Sequence, residues 1–423
     1  MGDVGDEGDE TDPARAAFTA TDRRALRAVA LQFFVNGAVI ATFIPRLPEI
    51  RDRVGISVAV LGLLLTLAGA CGLVSSAAVG PLVSRFGSRR VVIGGGVLLV
   101  ASLPIIGWAR TPLVLLGGLA LLSTVDVLVD VAMNMQGSWL SGRRHAPVMN
   151  RLHGLWSLGT VTGGLIAARA AAAGVPVPVH LTATALALFA VLMVVGRGLL
   201  RVDEHPVDRS GIDGDPAAPV RPRPTARGRS STVALTMFGL AGLFAVAMEA
   251  TAGDWAAFRL TDDFGASAGF AGLGFVAFTA GMTLGRLGGD WLQVRLGGDR
   301  LSALASATAA VGLVGSAFAP DPNVTLAAYL LTGLGVATFL PRLYDDAARH
   351  PGRPGAGLGA LTGGSRLGIL MAPFIVGAVA AGPASVGTAT AVVTVPSIAG
   401  FVVAMAVLHR GPRASRNDGE QPE

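Results

Sequence analysis

The chain has no lysine: all 33 of its basic side chains are arginine, and Cys71 is the lone cysteine among 423 residues. One cysteine excludes an internal disulfide framework and a cysteine-based metal cluster. Charged residues make up 14 % of the chain, against about 25 % in soluble domains. Aromatic residues are scarce as well, with two tyrosines in all, which weighs against an aromatic-rich drug pocket. No phosphate-cradling glycine loop, metal-ligand set or nucleophile–base arrangement occurs, so an ATP-driven pump and an enzyme are both set aside, and neither cofactor nor metal is implied. The net charge of +5 would suit nucleic acid, but the arginines sit mostly in the breaks between apolar runs, as on a membrane surface.

What the chain does have is a beat of about twelve apolar stretches, each long enough to cross a bilayer core as a helix, since about 20 residues span roughly 30 Å. They fall near 25–44, 57–83, 91–109, 112–139, 148–172, 178–198, 232–258, 268–292, 301–319, 323–345, 356–380 and 385–408. Arginines crowd alternate breaks. On one side lie only Arg46, Arg51, Arg53, Arg110 and Arg259, whereas the other side holds 23. That bias places both termini in the cytoplasm of a bacterial plasma (inner) membrane protein. The stretch 199–230, with five prolines among arginines, aspartates and glycines, cannot bury a core and reads as a disordered linker. It divides the chain into a disordered N-terminus (1–24), a six-helix bundle (25–198), a second bundle (231–409) and a tail (410–423). The expected fold is thus all-α and integral to the membrane. An internal echo joins the halves, because Ala41-Thr-Phe-Ile-Pro-Arg46 closes span 1 and Ala337-Thr-Phe-Leu-Pro-Arg342 lies late in span 10.

After span 2 the sequence runs Gly80-Pro-Leu-Val-Ser84-Arg85-Phe86-Gly87-Ser-Arg89-Arg90, and after span 8 Gly285-Arg286-Leu-Gly-Gly289-Asp290-Trp-Leu-Gln-Val-Arg295-Leu-Gly297. Both resemble the cytoplasmic loop signature of the major facilitator superfamily. The resemblance implies twelve transmembrane helices in two pseudo-symmetric six-helix bundles that rock about a central site lined by spans 1, 4, 7 and 10. It makes Gly80, Arg85 and Gly87, with Arg286 and Asp290 opposite, a conformational loop and inner gate. Glycine rows at four-residue spacing, Gly159 and Gly163, Gly281, Gly285 and Gly289, and Gly355, Gly359 and Gly363, allow close approach of helices that the family places between the bundles. A narrower likeness in Asp130-Val-Ala-Met133-Asn134 and Pro147 to Gly159 resembles a fucose-permease-like bacterial branch of sugar-transporter relatives. The chain departs from antiporters: Ser84 replaces the loop aspartate, span 4 lacks its arginine partner, and Thr160 follows Gly159 where drug antiporters carry proline.

Ionisable groups at bilayer depth are costly and mark transport paths or structural pairs. At 100° per residue Asp126, Asp130 and Asn134 fall within about 80° of one face of span 4, which suits either solute and proton handling or a fixed network bracing spans 4 and 5. His153 on span 5 is expected near Asn134 or Asp130, as a proton relay or a space-filling hydrogen bonder. Glu249, deep in span 7, is the favoured coupling residue together with Asp126. Asp254 is expected to pair with Arg259 or cap an outer gate. Gln32, Asn36, Phe43 and Arg46 share a face of span 1 that offers donors, acceptors and an aromatic wall for a sugar-like solute. Arg342 either contacts solute or pairs with Asp345 and Asp346, and Arg366 needs a carboxylate from span 4 or 10. The expected function is secondary transport of a small polar solute with protons, by a monomer in a lipid bilayer that binds no nucleic acid. The alternatives are export of hydrophobic compounds and ligand sensing without flux.

Overall fold

The computed structural model describes residues 18–144, 148–200, 229–350 and 355–410. The expected disordered linker and tail lie almost wholly outside these residues, as does the N-terminus up to residue 17. The described residues form twelve helical rods and no strand. Here α1 is Ala20–Val54, α2 Val58–Phe86, α3 Ser88–Trp108, α4 Pro112–Arg144, α5 Met149–Ala172 and α6 Val177–Gly198. In the second half α7 is Arg229–Asp263, α8 Ala268–Leu296, α9 Gly298–Phe318, α10 Pro322–Ala348, α11 Ala356–Ala380 and α12 Val386–Arg410. Eleven are long and apolar enough to cross a membrane. The exception is α5, whose 24 residues include Arg151, His153, Arg169 and a run of threonines and glycines. Lipid offers backbone groups no hydrogen bonds, so an apolar chain of this kind closes them within helices.

Local chemistry sets the ends. Helix α1 starts at Ala20, not at 25, because Thr19 and Asp22 form a capping box: Asp22 N–H donates to Thr19 Oγ1 at 3.1 Å, and Thr19 N–H donates to Asp22 Oδ2 at 3.0 Å. It also outlasts the expected end at 44, passing Pro45 through a tight turn and stopping at Gly55, whose φ of 73° is the left-handed conformation of a helix C-cap. Arg46, Arg51 and Arg53 therefore ride on a helix. The sequence echo has a structural counterpart, since α1 tightens around Pro45 at Ile44–Arg46 and α10 breaks at Ala337–Thr338, three residues before Pro341. The two loop signatures match as well: Gly87 at φ 78° and Gly297 at φ 79° each turn the chain straight into the next helix.

Helices α1–α6 pack chiefly on one another, as do α7–α12, and the halves meet along two seams, α2 with α11 and α5 with α8. Successive rods alternate in direction, so α1 begins and α12 finishes at one end of the molecule, the terminal end. The seams are tight only at the other end. There a Cβ on Gly62 would strike Pro373 of α11, and one on Gly269 or Gly272 would strike Ala172 or Ala168 of α5. Thr66 Oγ1 also donates to the Leu370 carbonyl, at 3.2 Å. Toward the terminal end the same helices part, and Cβ atoms on Gly154, Gly288, Gly359 and Gly363 would find nothing within 4 Å.

The glycine rows consequently act elsewhere than expected. Gly159 and Gly163 seat α5 on Phe34 and Ala38 of α1, while Gly281 and Gly285 seat α8 on Leu330 and Leu334 of α10. Both contacts lie within a half. Gly359 and Gly363 support no close approach, and Gly364 and Gly368 instead bring α11 onto Gly239 and Leu243 of α7. These differences can be measured. Gly159→Ala forces a methyl into the Phe34 carbonyl and should cost about 1–3 kcal/mol of overpacking, lowering the thermal midpoint in detergent. Gly359→Ala faces open space inside a helix and should leave the midpoint unchanged or raised.

Candidate functional site

Between the halves, just where the seams begin to open, Trp156, Ser157 and Thr160 of α5 face Thr279, Met282, Thr283 and Arg286 of α8 across a pocket. Thr160, Thr279 and Thr283 each donate to the carbonyl a turn earlier, at 2.9, 2.9 and 2.8 Å, which frees their oxygens to accept from a solute. Arg286 Nη2 lies 3.6 Å from Oε1 of Glu249 on α7, and both side chains are partly exposed. On the other wall Asn36 of α1 donates Nδ2 to Asp126 Oδ1 of α4 at 3.1 Å. One turn on, Asn134 Nδ2 donates to Asp130 Oδ1 at 3.1 Å and to the Asp130 carbonyl at 2.8 Å. Asp254 of α7 and Arg366 of α11 are half-buried and have no ion pair among the described residues.

Ion pairs stitch the two ends. At the sealed end Arg46, 1 % exposed, binds Glu49 at 2.6 Å and the Val175 carbonyl at 2.8 Å. Arg51 joins the halves by pairing with Asp262, its guanidinium also lying 5.3 Å from the Phe258 ring. Arg259 holds Asp263 at 2.7 Å, and Asp263 accepts the first N–H groups of α12, from Val386 and Gly387, at 2.9 and 2.8 Å. A carboxylate there suits the positive end of the helix dipole. At the terminal end Arg143 pairs with Asp22 at 2.7 Å.

Several expected placements are corrected by this geometry. Arg259 is committed to Asp263, so Asp254 does not pair with it. Of the two readings of Arg342 the local ion pair is the one seen, with Asp346 at 3.6 Å, and the guanidinium also bonds the Gly298 carbonyl, Ser302, Asp299 and His409, tying α10 to α9 and α12 at the terminal end. His153 lies edge-on to Phe33 with ring centres 5.2 Å apart and makes no ion pair with a carboxylate of α4 among the described residues. Arg286 looks inward to Glu249, and the gate expected of it with Asp290 falls outside what is described, because the Asp290 side chain is not among the described residues. Arg366 has no carboxylate within ion-pair reach among the described residues. Phe43, 5 % exposed, belongs to the apolar core of the sealed end, and Gln32 is 0 % exposed, so neither lines open space. Gly80 and Arg85 sit exposed on α2 with Arg85 over the Phe86 ring, and Gly87 serves the turn.

Residues 29–341 match the sequence profile of the Major Facilitator Superfamily. The chain belongs to that superfamily. An uncharacterised MFS-type transporter of Yersinia pestis is 27 % identical over 351 residues, covering 83 % of this chain and 87 % of that one. The fold is similar to the crystal structure of the nucleoside transporter NupG, at TM-score 0.69 and 12 % identity over 92 % of this chain and 99 % of the other. It is also similar to that of the E. coli fucose:proton symporter FucP (TM-score 0.55, 17 % identity, 90 % and 98 % coverage). The protein is thus a multi-pass membrane transporter of the major facilitator superfamily and not an enzyme.

Sequence reasoning missed the threonine pocket, the Arg51–Asp262 tie and Gln136. The i, i+4 threonines in an apolar span were the available signal for the first. No signal in the chain pointed to Gln136, which is 0 % exposed, donates to Ser88 Oγ at 2.9 Å and the Leu200 carbonyl at 3.2 Å, and accepts from Leu200 N–H at 3.2 Å. It locks α4 to the ends of α3 and α6. Gln136→Leu strands two buried backbone groups and should cost about 1–3 kcal/mol, read as an earlier thermal midpoint with the aggregation state unchanged.

Proposed function

We propose that this superfamily member carries a small, hydroxyl-rich polar solute across the bacterial plasma membrane by alternating access, with protons as a driving ion. The halves 25–198 and 231–409 would rock about the α5–α8 pocket. The observation that carries the reading is a pocket of threonine, serine, tryptophan and arginine groups at the point where two sealed seams open. The arginine bias puts the terminal end in the cytoplasm, so the described state is open inward with its outer end latched by Arg51 and Asp262. Hydroxyl oxygens that accept, a guanidinium that donates and an aromatic wall suit a sugar or nucleoside better than a hydrophobic drug. NupG and FucP, which share the fold, are named for a nucleoside and for fucose with protons.

Glu249 is the proton-handling group in this reading. Ionised, it holds Arg286; protonated, it releases the guanidinium to solute or to the opposite half. Solute binding and proton binding then meet on one pair of side chains, which is what coupling requires.

Proteoliposomes loaded at one pH and diluted into another provide the test, with a panel of radiolabelled hexoses, pentoses, polyols and nucleosides as candidate cargo. Glu249→Gln should abolish pH-driven accumulation while leaving solute counterflow within a few-fold of wild type. Normal accumulation by this variant sinks the proton assignment. A second check uses Arg51→Cys with Asp262→Cys in a Cys71→Ser background. Oxidation should stop transport reversibly, and continued flux through the cross-linked protein would rule out movement at that end.

A further inference from the structure

The face that α4 turns to α1 carries more unused oxygen than the solute path explains. Asp126 and Asp130 stand one turn apart, half-buried, and no basic group is paired with either among the described residues. Asn36, 2 % exposed, gives its Nδ2 to Asp126, and the Oδ1 of the same amide is buried without a partner. Gln32, a turn earlier on α1, is 0 % exposed, and neither its Oε1 nor its Nε2 has a partner. Helices α1 and α4 run antiparallel. The residue one turn before Asn36 therefore stands opposite the residue one turn after Asp126, which sets Gln32 against Asp130.

A buried amide oxygen left unpaired costs about 1–3 kcal/mol, and two uncompensated carboxylates at bilayer depth cost more. One ligand relieves all of it. We propose that Gln32, Asn36, Asp126 and Asp130 form a binding site for a small monovalent metal cation, sodium by size and hardness. Carboxylate and amide carbonyl oxygens are the donors that hard cations take. An organic ammonium is too large to reach oxygens that are 0 and 2 % exposed, whereas a bare ion entering from the half-exposed aspartates can. Calcium asks for 6–8 oxygens and magnesium for a near-ideal octahedron that keeps its waters, and a four-donor ladder split between two helices offers neither.

The bound ion pins α1 to α4, and Gln32 Nε2 is left to donate to Asp130. It screens the acidic wall of the cavity and acts as a second driving cation, separate from the Glu249–Arg286 pair on the other side. The inference rests on reading the interior as a transport path, and its test is independent of any solute.

Purified full-length protein in nanodiscs is titrated with radioactive sodium-22 in choline chloride buffer, with binding read by scintillation proximity. Wild type should bind one sodium saturably. Asn36→Ala and Gln32→Leu should each weaken binding at least tenfold, Asp126→Asn should abolish it, and the exposed Arg349→Gln should not change it, each variant first shown monodisperse by gel filtration. Absence of saturable binding by wild type overturns the proposal whatever the variants do. So does competition by equimolar calcium or magnesium that removes all sodium, or wild-type affinity in both Asn36→Ala and Asp126→Asn. Full pH-driven transport in sodium-free choline by a protein that binds no sodium would refute this site and leave the transport reading standing. Sodium binding without flux of any cargo would do the reverse.

Discussion

Charge at bilayer depth has to be solvated by protein, and the way each charged side chain meets that demand separates scaffold from site. Arg259 and Asp263 are fully committed and Arg46 nearly so, only its Nη1 lacking a partner: each has carboxylate or guanidinium, carbonyl or amide partners. They cap helix ends and hold the sealed end together. Asp126, Asp130, Asp254 and Arg366 have no ion pair among the described residues, and the Glu249–Arg286 contact is long at 3.6 Å. Breaking a saturated pair at depth costs several kcal/mol, while an unsaturated one can change partner cheaply. The interior is loose where transport needs it loose.

The second constraint is steric. Glycine and alanine let helix backbones touch, and their distribution gives the molecule one closed and one open end. Gly62, Gly377, Gly269 and Gly272 knit the halves at the sealed end, whereas Gly159, Gly281 and Gly364 make each half internally rigid. Each half is thus packed tightly within itself, and the two halves approach most closely at one end. Arg51 and Asp262 tie the halves at that end, and the Asp263 network beside them stays within the second half.

Internal duplication runs through both features. The loop signatures end in paired left-handed glycines, Gly87 and Gly297, and the Ala-Thr-Phe-aliphatic-Pro echo yields paired helix distortions in α1 and α10. The halves have nevertheless diverged in chemistry. In α1 the arginine after the proline, Arg46, is buried at the sealed end; in α10 its counterpart, Arg342, latches the terminal end. Equivalent sequence positions thus serve opposite faces of the membrane.

The sequence by itself determined the all-helical membrane class and the superfamily, because a bilayer imposes a length and an apolar composition that a linear chain displays directly. It also picked out Asp126, Asn36 and Glu249 as interior polar groups, since charge in an apolar run is visible without coordinates. Pairing was beyond it. Which carboxylate Arg259 takes, whether Arg342 faces cargo or a helix end, and where His153 rests depend on the rotation and tilt of neighbouring helices, and small residues far away in the chain set those. Only the tertiary structure decided that Gln32 would be sealed from water, that threonines would line the pocket, and that the seams would close at one end and gape at the other.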